Sequence, residues 1–475
     1  MRALATFFVV LSSLANAQTW QAAPTSPIQP GTMLLMRNGC VLAHEDETSN
    51  NAILCPDSVG SYANGTWTIA APLPMGYGPR AYSSAVLPDG RVLFEGGEYN
   101  FGEQDWTSMG AIYDPLANTW TAVQPPQGWD HIGDGASVVL SNGVYYQANA
   151  TTSQTAFFNA HTLTWTEGPR TLTTNNNEAG WALLPNGTVL EVNSEKACGS
   201  SKSSQIYDPG QNQWICGPEL PQQLYSEDWD GELGSTVVTY NNSVIQYSGG
   251  RVIGTAVLDL GSDTWSVGPL PPTGYNQDDG PSSVEPNGKV LAMLANKLAP
   301  LTCQFTEYNP ATNTLVASPN PPECPFGRAA VSSRLLVLPT GQILFSHFSH
   351  TMELYNPAGG FVQSAVPLIY LPSLTLYAGS TNNILYGVQL NGLSQANMYG
   401  DDVQMASNYP LVKLVDSHGN VWYARSHDDS YSGIAPGTIS YTKFDVPAIP
   451  PGRYSLSVVT NGLPSNSVQV SVLQH

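Results

Sequence analysis

The chain alternates short polar turns with short runs of β-branched and aliphatic residues. One such unit, a turn usually built on Asn-Gly or Asp-Gly and followed by a run such as Val-Leu, occurs seven times. These dipeptides favour two-residue hairpin turns because they accept a positive φ, and the apolar run that follows is typical of a strand. The seven turns begin at Arg37, Pro88, Ser141, Pro185, Asn241, Pro286 and Pro339.

A second pattern, Tyr-Asp-Pro followed by Asn and Trp, alternates with the first. Its clearest copies join Tyr113 to Trp120 and Tyr207 to Trp214. Both patterns repeat at roughly 45–55 residues, the spacing of kelch-type blades. A blade is a four-stranded antiparallel sheet, and blades close around a central channel. The sequence therefore predicts an all-β chain with a seven-bladed kelch β-propeller, whose recurring Trp residues pack one blade against the next.

The last repeat, which ends at Tyr355-Asn356-Pro357, lacks its Trp. The N-terminal dipeptide Thr19-Trp20 has the form that ends the blades at Trp67, Trp120 and Trp265. We therefore predict that the segment around Trp20 supplies the outer strand of the last blade, because closing the ring in this way removes an exposed sheet edge.

The repeat pattern stops at a glycine-rich break, Ala358-Gly359-Gly360. Residues 361–473 alternate apolar and polar positions, with longer loops between the predicted strands. About 110 residues of this kind are typical of a small β-sandwich. We assign residues 18–358 to the propeller and residues 361–473 to an immunoglobulin-like β-sandwich.

The N-terminus has the parts of a secretory signal peptide. Arg2 precedes an apolar run, and Ala15-Asn16-Ala17 resembles a cleavage site. We therefore expect residues 1–17 to be removed and the mature protein to be secreted into an extracellular, oxidising environment.

The cysteines and the glycosylation sequons fit an exported protein. The six cysteines fall into three close pairs, which predicts the disulfides Cys40–Cys55, Cys198–Cys216 and Cys303–Cys324. Four Asn-x-Ser/Thr sequons are candidate glycosylation sites, although the last two are equally explained as turn residues. The sequons lie at Asn64, Asn149, Asn186 and Asn241.

The charge of the chain limits its partners. Sixteen basic and 36 acidic residues give a net charge of −20, so nucleic acid and anionic membranes are poor partners. Cations and neutral polar ligands remain open, and we expect a monomer. Beyond the N-terminal segment, no apolar stretch is long enough to span a membrane.

The run Arg80-Ala81-Tyr82-Ser83-Ser84, followed by Pro-Asp-Gly-Arg-Val and Gly-Gly, resembles the galactose oxidase and glyoxal oxidase superfamily. Members are secreted seven-bladed kelch propellers followed by an immunoglobulin-like "early set" domain. The resemblance implies that Tyr82 stands at the position of a copper-ligating Tyr that is cross-linked to a Cys. Where the family has a Tyr-His pair and a further His, this chain has Ala330, Val331 and Met398. Copper needs nitrogen or sulfur donors, so we expect no copper. The chain is more similar to the copper-free branch of this superfamily, which carries stretches similar to Gly60-Ser61-Tyr62 and Tyr409-Pro410-Leu411-Val412.

The residues just before each innermost strand are expected to ring one mouth of the channel. Carboxylates, amides and aromatic side chains predominate among them, and Asp401 and Asp402 join them if a C-terminal loop reaches the channel. The candidates are Tyr82, Trp129, Asp130, His131, Asp134, Asn177, Glu178, Asp228, Trp229, Asp230, Tyr275, Asp278, Asp279 and Arg328.

Three interpretations of this set remain open. It is a binding site for a polar small molecule or glycan, with aromatic rings stacking on the ligand and polar groups bonding its hydroxyls. Alternatively it is the active site of a non-redox lyase, hydrolase or cyclase, in which Asp228 with Asp230, or His131 beside Asp134, acts as acid and base. The same oxygen donors would also suit Ca²⁺. The third interpretation is a set of inert polar loops on a scaffold or surface-recognition protein.

Overall fold

A computed structural model describes residues 17–177, 179–192, 196–225, 233–296, 302–324, 330–371, 373–396 and 406–474. Within them the regular secondary structure is β-strand, apart from two short 3-10 helices at Ala330–Ser332 and Gln363–Ala365. No helix in this part of the chain has the length and apolar character needed to cross a membrane.

The repeats form seven four-stranded antiparallel blades, as predicted. The strands of each blade follow in order from the channel outward. Blade 1 contains Met33–Leu35, Val41–His44, Asn51–Cys55 and Thr66–Ile69; blade 2 contains Ser83–Val86, Val92–Glu95, Gly110–Asp114 and Thr119–Val123. Blade 3 contains Ser137–Val139, Tyr145–Ala148, Thr155–Asn159 and Thr164–Glu167; blade 4 contains Gly180–Leu183, Val189–Val192, Ser204–Asp208 and Gln213–Cys216. Blade 5 contains Thr236–Thr239, Ser243–Tyr247, Thr255–Asp259 and Thr264–Val267; blade 6 contains Ser282–Val284, Val290–Asn296, Cys303–Asn309 and Thr314–Ala317.

Blade 7 is completed by the N-terminus. Its strands are Arg334–Val337, Ile343–Ser346, Glu353–Asn356 and, outermost, Thr19–Ala22. Trp20 is paired with Tyr355 across this sheet, and its ring lies 5.0 Å from the rings of both Tyr355 and Phe305. The predicted ring closure is therefore confirmed, and Trp20 also joins blade 7 to blade 6.

Short additional strands lie beside the blades. Pro79–Arg80, Tyr99–Asn100 and Glu103–Gln104 form a small sheet next to blade 2, and Tyr275–Asn276 pairs within blade 6. Pro79–Arg80 and Tyr275–Asn276 precede innermost strands, and the other two follow the second strand of blade 2. All four therefore extend the fold at the end of the channel where the innermost strands begin.

The residues after the propeller form one further sheet of nine strands. All its pairs are antiparallel except the one between Thr375–Tyr377 and Val468–Leu473. Side chains from both halves of the sheet, such as Leu385 and Leu456, share one buried core. The boundary at residues 358–361 and the immunoglobulin-like sandwich remain predictions. The other strands are Leu368–Tyr370, Asn383–Val388, Leu411–Asp416, Val421–His427, Ile439–Asp445, Gly452–Thr460 and Leu463–Pro464.

The disulfides are confirmed as Cys40–Cys55, Cys198–Cys216 and Cys303–Cys324. Each joins residues that are near in sequence, as the spacing predicted.

The sequons differ in their surroundings. Asn64, Asn186 and Asn241 are exposed, and the last two accept hydrogen bonds within hairpin turns. Asn149 is only 2% exposed, and its side-chain nitrogen donates to the carbonyl of His131. Because a glycan would attach to that nitrogen, we expect Asn149 to carry none.

Candidate functional site at the channel mouth

The seven innermost strands surround one channel. Each of them contacts the innermost strands of the two neighbouring blades, and the contacts close into a ring. All seven strands therefore begin at the same end, which we call the mouth, and lead into their hairpin turns at the opposite end, which we call the base.

The C-terminal part of the chain covers the base. Arg37, in the first hairpin turn, forms a buried ion pair with Asp429 at 2.7 Å, and both side chains are 2% exposed. The Tyr409 hydroxyl donates to the carbonyl of Leu35, at the end of the blade 1 innermost strand. The C-terminal contacts therefore cover the base. In the part of the chain that the structure describes, the mouth is the end that a ligand can reach.

A short C-terminal strand also enters the channel. Gln395–Ala396 pairs antiparallel with Val237 and Val238 of blade 5, and the Gln395 side chain accepts a hydrogen bond from the Leu183 amide of blade 4. This strand runs toward the mouth. Met398, Asp401 and Asp402 follow it but lie outside the described residues.

Asp134 and Asn177 come together at the mouth from blades 3 and 4. Asp134 is 1% exposed. With its amide nitrogen turned toward the carboxylate, Asn177 donates to both Asp134 oxygens, at 3.0 and 2.9 Å. The pair presents a carboxylate held in one orientation by a neutral donor, an arrangement that suits recognition of hydroxyl groups.

Asp278 and Asp279 are held in an unusual backbone conformation beside blade 5. Their φ angles are 45° and 56°, a region that non-glycine residues seldom adopt and that tends to mark functional sites. Asp278 accepts a hydrogen bond of 2.6 Å from the Gly250 amide, and the Asp279 amide donates to the Leu233 carbonyl at 2.9 Å. Both side chains are buried.

Four other candidates lie away from the inner mouth or have structural contacts. Tyr82 is buried between the rings of His44 and Phe94. Trp129 is in a small apolar core, and the Tyr275 hydroxyl lies 2.8 Å from that of Thr302. His131 is exposed and donates to the Trp106 carbonyl at 2.8 Å.

Asp130 is exposed beside His131. The hydrogen bond to Trp106 occupies His131 Nδ1, and the acid–base pair of His131 with Asp134 stays a prediction. Glu178, Asp228, Trp229, Asp230 and Arg328 lie outside the described residues.

Sequence reasoning missed a buried ion pair at the mouth between blades 1 and 7. Arg334 Nη2 lies 3.7 Å from Asp46 Oδ2, with side chains that are 2% and 7% exposed. Burial raises the pKa of Asp46 to about 6, and the Arg334 charge only partly offsets this. Gly31 makes room for the carboxylate, since a Cβ there would lie 2.1 Å from Asp46 Oδ1. The only sequence signal was the acidic run Glu45-Asp46-Glu47 directly after a strand.

The rim next to this pair is also charged and aromatic. Arg80 forms an ion pair with Glu47 at 2.7 Å and lies over the Tyr99 ring, 4.6 Å from its centroid. The Arg334 guanidinium lies 5.4 Å from the centroid of Phe348, whose φ is 53°. The mouth therefore combines acidic groups, two guanidinium groups and aromatic faces.

The described residues around Tyr82 do not fit a copper site. Ala330 and Val331 supply no donor side chains, as the sequence indicated. The nearest imidazole, His44, is fully buried, and its two nitrogens contact the oxygens of Asn51 and Pro79. Burial lowers the pKa of His44 to about 4, consistent with a neutral structural histidine.

Comparison with known proteins supports the fold. The chain is 29% identical over 118 residues to the Kelch-like protein terF of Aspergillus terreus, but this match covers 22% of the chain and only 25% of the relative. A fungal alcohol oxidase of the AA5 family, solved in complex with copper, superposes with a TM-score of 0.56 over 96% of this chain and 100% of that chain, at 16% identity. The chain therefore has a kelch-repeat, galactose oxidase-like fold.

A second solved structure is also similar in fold. Virginiamycin B lyase from Staphylococcus aureus superposes with a TM-score of 0.50 at 9% identity, covering 72% of this chain and 99% of that chain. No protein-family model matches this kelch propeller. At these identities the similarities establish the fold and leave the activity to be argued from the site.

Proposed function

We propose that this protein is secreted and binds a polar, hydroxyl-rich small molecule or glycan at the channel mouth. We further propose that any reaction there proceeds by proton transfer and without copper. The observation that carries the proposal is the set of buried carboxylates at the mouth, Asp46, Asp134, Asp278 and Asp279.

Buried carboxylates are costly to maintain. Removing a charged group from water is unfavourable unless the group is paired or hydrogen-bonded. Inert surface loops would keep their carboxylates in solvent and would not carry this cost. Hydroxyl groups of a ligand would donate to these carboxylates, and the Arg334 guanidinium would supply donors for ligand oxygens. The aromatic rings at the rim supply faces for the apolar side of a sugar ring.

A non-redox enzyme is the second candidate, and Asp46 favours it. A general acid or base works best with a pKa near the operating pH, and the pKa of Asp46 is raised to about 6 by burial. The proteins with similar folds include a copper-bound alcohol oxidase and a lyase. The residues here favour chemistry without copper because the positions of its expected ligands carry Ala330 and Val331.

Ligand binding can be tested on the secreted protein with a glycan array followed by isothermal titration calorimetry, with Ca²⁺ as a second ligand. Asp134→Asn and Asp278→Asn replace a carboxylate by an amide of the same shape. Asp263→Asn, in an outer turn of blade 5 at the base, is the matched control.

We expect both mouth variants to weaken binding by about 10-fold or more, since a hydrogen bond to a charged group contributes about 1.5–3 kcal/mol. The control should bind as the wild type does. The proposal is wrong if the wild type binds neither glycans nor Ca²⁺ and turns over no substrate, or if all three variants bind equally. In either case the inert scaffold is the better interpretation.

A further inference from the structure

A histidine and two glutamates converge between blades 6 and 7, where the second strand of blade 7 ends. His347 Nε2 lies 4.0 Å from Glu323 Oε2 and 3.9 Å from Glu353 Oε2. One donor atom from each of the three side chains lies within 4.8 Å of the other two. This His–Glu–Glu cluster has the donor types of a transition-metal site.

The three donors come from separate parts of the fold that the tertiary structure holds in place. His347 follows the second strand of blade 7, and Glu353 begins the third strand, where it pairs with both Phe345 and Ala22. Glu323 is in the loop that leaves blade 6, next to Cys324, whose disulfide ties that loop to Cys303. The cluster therefore bridges two blades beside the N-terminal strand that closes the ring.

Glu353 is the donor that most clearly points to a ligand. Its side chain is 4% exposed, and its buried Oε2 has no hydrogen-bond partner among the described residues. The backbone N–H of Glu323 hydrogen-bonds to the same carboxyl group, so the loop of blade 6 is already in contact with it. Burial and the Glu323 charge raise the pKa of Glu353 to about 7.

A buried carboxylate oxygen without a donor is unfavourable, and a bound cation would remove the penalty. We propose that Glu323, His347 and Glu353 form a divalent metal site of the Zn²⁺ class. This proposal is independent of the proposed function.

The donor geometry requires only a small contraction around the ion. Zinc binds His nitrogen and carboxylate oxygen at about 2.0–2.2 Å, so donors in a tetrahedral site lie roughly 3.4 Å apart. The observed separations to His347 are 3.9 and 4.0 Å, and small side-chain rotations would bring the donors into range. The imidazole favours Zn²⁺ over Ca²⁺, which takes oxygen ligands. Glu323 is 57% exposed, so the ion can enter from solvent and a water can occupy the fourth position.

A metal at this position would join blade 6 to blade 7 at the closure of the ring. An ion that binds only the folded state raises the free energy of unfolding, and the increase grows with the logarithm of the ratio of free ion concentration to Kd. Metal binding should therefore be visible in thermal stability, without any measurement of activity.

The experiment uses the secreted full-length chain, stripped with a chelator and titrated with Zn²⁺ at pH 7.5. Stoichiometry is measured by calorimetry and elemental analysis, and Tm by differential scanning calorimetry. His347→Gln and Glu353→Gln each remove one donor while keeping a side chain of similar size. His161→Gln and Glu103→Gln are matched controls, because both residues are exposed and remote from the cluster.

We expect one Zn²⁺ per chain and a Tm increase of a few degrees in saturating metal. His347→Gln and Glu353→Gln should fold, since neither replacement adds a buried charge. Loss of a residue that only hydrogen-bonds to a metal ligand costs roughly 10- to 100-fold in metal affinity, so loss of a ligand itself should weaken Zn²⁺ binding by more than that. The controls should retain binding and the Tm shift.

The proposal is overturned if folded wild type binds no Zn²⁺. It is also overturned if both cluster variants bind Zn²⁺ as tightly as the controls do, because the ion would then occupy another site. Circular dichroism of the metal-free variants distinguishes loss of the site from loss of the fold.

Discussion

Asp46 gives the sharpest test of the idea that the mouth is maintained for function at a cost in stability. The change is Asp46→Asn, which keeps the shape of the side chain and removes its charge. Arg334 would still donate to the carbonyls of Val331 and Ser333, at 2.7 and 3.0 Å, so the variant does not leave the guanidinium without hydrogen bonds.

The magnitude follows from the pKa of Asp46, which burial raises from 3.8 to about 6. Each pKa unit corresponds to about 1.4 kcal/mol, so ionising Asp46 in the folded protein costs about 3 kcal/mol relative to the unfolded chain. Because the folded-state pKa is the higher one, the folded state binds the extra proton between about pH 4 and 6, and stability falls as the pH rises through that range. The variant has no such titration.

We therefore expect Asp46→Asn to be more stable than the wild type by about 3 kcal/mol at pH 7.5, and by almost nothing at pH 4. Urea denaturation at a series of pH values measures the difference, with Asp263→Asn as the control. A variant that is less stable at pH 7.5, or a difference that does not change with pH, would refute the reasoning. If Asp46 serves the ligand, the same variant should also bind it more weakly, as expected where stability is exchanged for function.

Three further predictions concern the ring, the copper positions and the sequons. Trp20→Ala should lower the free energy of unfolding by about 3 kcal/mol, because it removes the ring that packs against Phe305 and Tyr355; an unchanged urea midpoint would contradict this packing role. Protein loaded with Cu²⁺ should show no tyrosyl-radical absorbance and no peroxide production from galactose or glyoxal, whereas oxidase-like rates would show that a copper site forms despite Ala330 and Val331. Glycopeptide mass spectrometry of protein from a eukaryotic host should find glycan at Asn64 and none at Asn149, because Asn149 is buried; a fully occupied Asn149 would contradict the described loop.

The sequence was informative wherever the physics is local. Hairpin turns depend on adjacent residues that accept positive φ, so the repeated Asn-Gly turns predicted the blades. The spacing of the cysteines predicted the three disulfides, and the missing Trp in the last repeat predicted the closing strand at Trp20. The turns and the disulfides could be predicted because they depend on residues that are near in sequence. The closing strand could be predicted because one member of a regular repeat was missing.

The mouth was predicted only in part, because its placement depends on how blades pack. Asp134, Asn177, Asp278 and Asp279 come before innermost strands in the sequence, and the structure has them at that end of the channel; their role in binding a ligand stays a prediction. Sequence position could not show that Tyr82 turns into the core, where it packs between His44 of blade 1 and Phe94 of blade 2. Nor could it show that His131 donates to the Trp106 carbonyl.

Only the tertiary structure joined Asp46 to Arg334, and Glu323 to His347 and Glu353. The first pair is separated by almost the whole propeller in sequence and meets because the ring closes between blades 1 and 7. The second group meets because a disulfide-tied loop of blade 6 lies against the face of blade 7. Burial, which raises the pKa of Asp46 and Glu353, is likewise a property of the packed ring. The sequence by itself therefore determined the repeated units and their closure, and the packing of those units determined which charged groups meet and what their environment does to them.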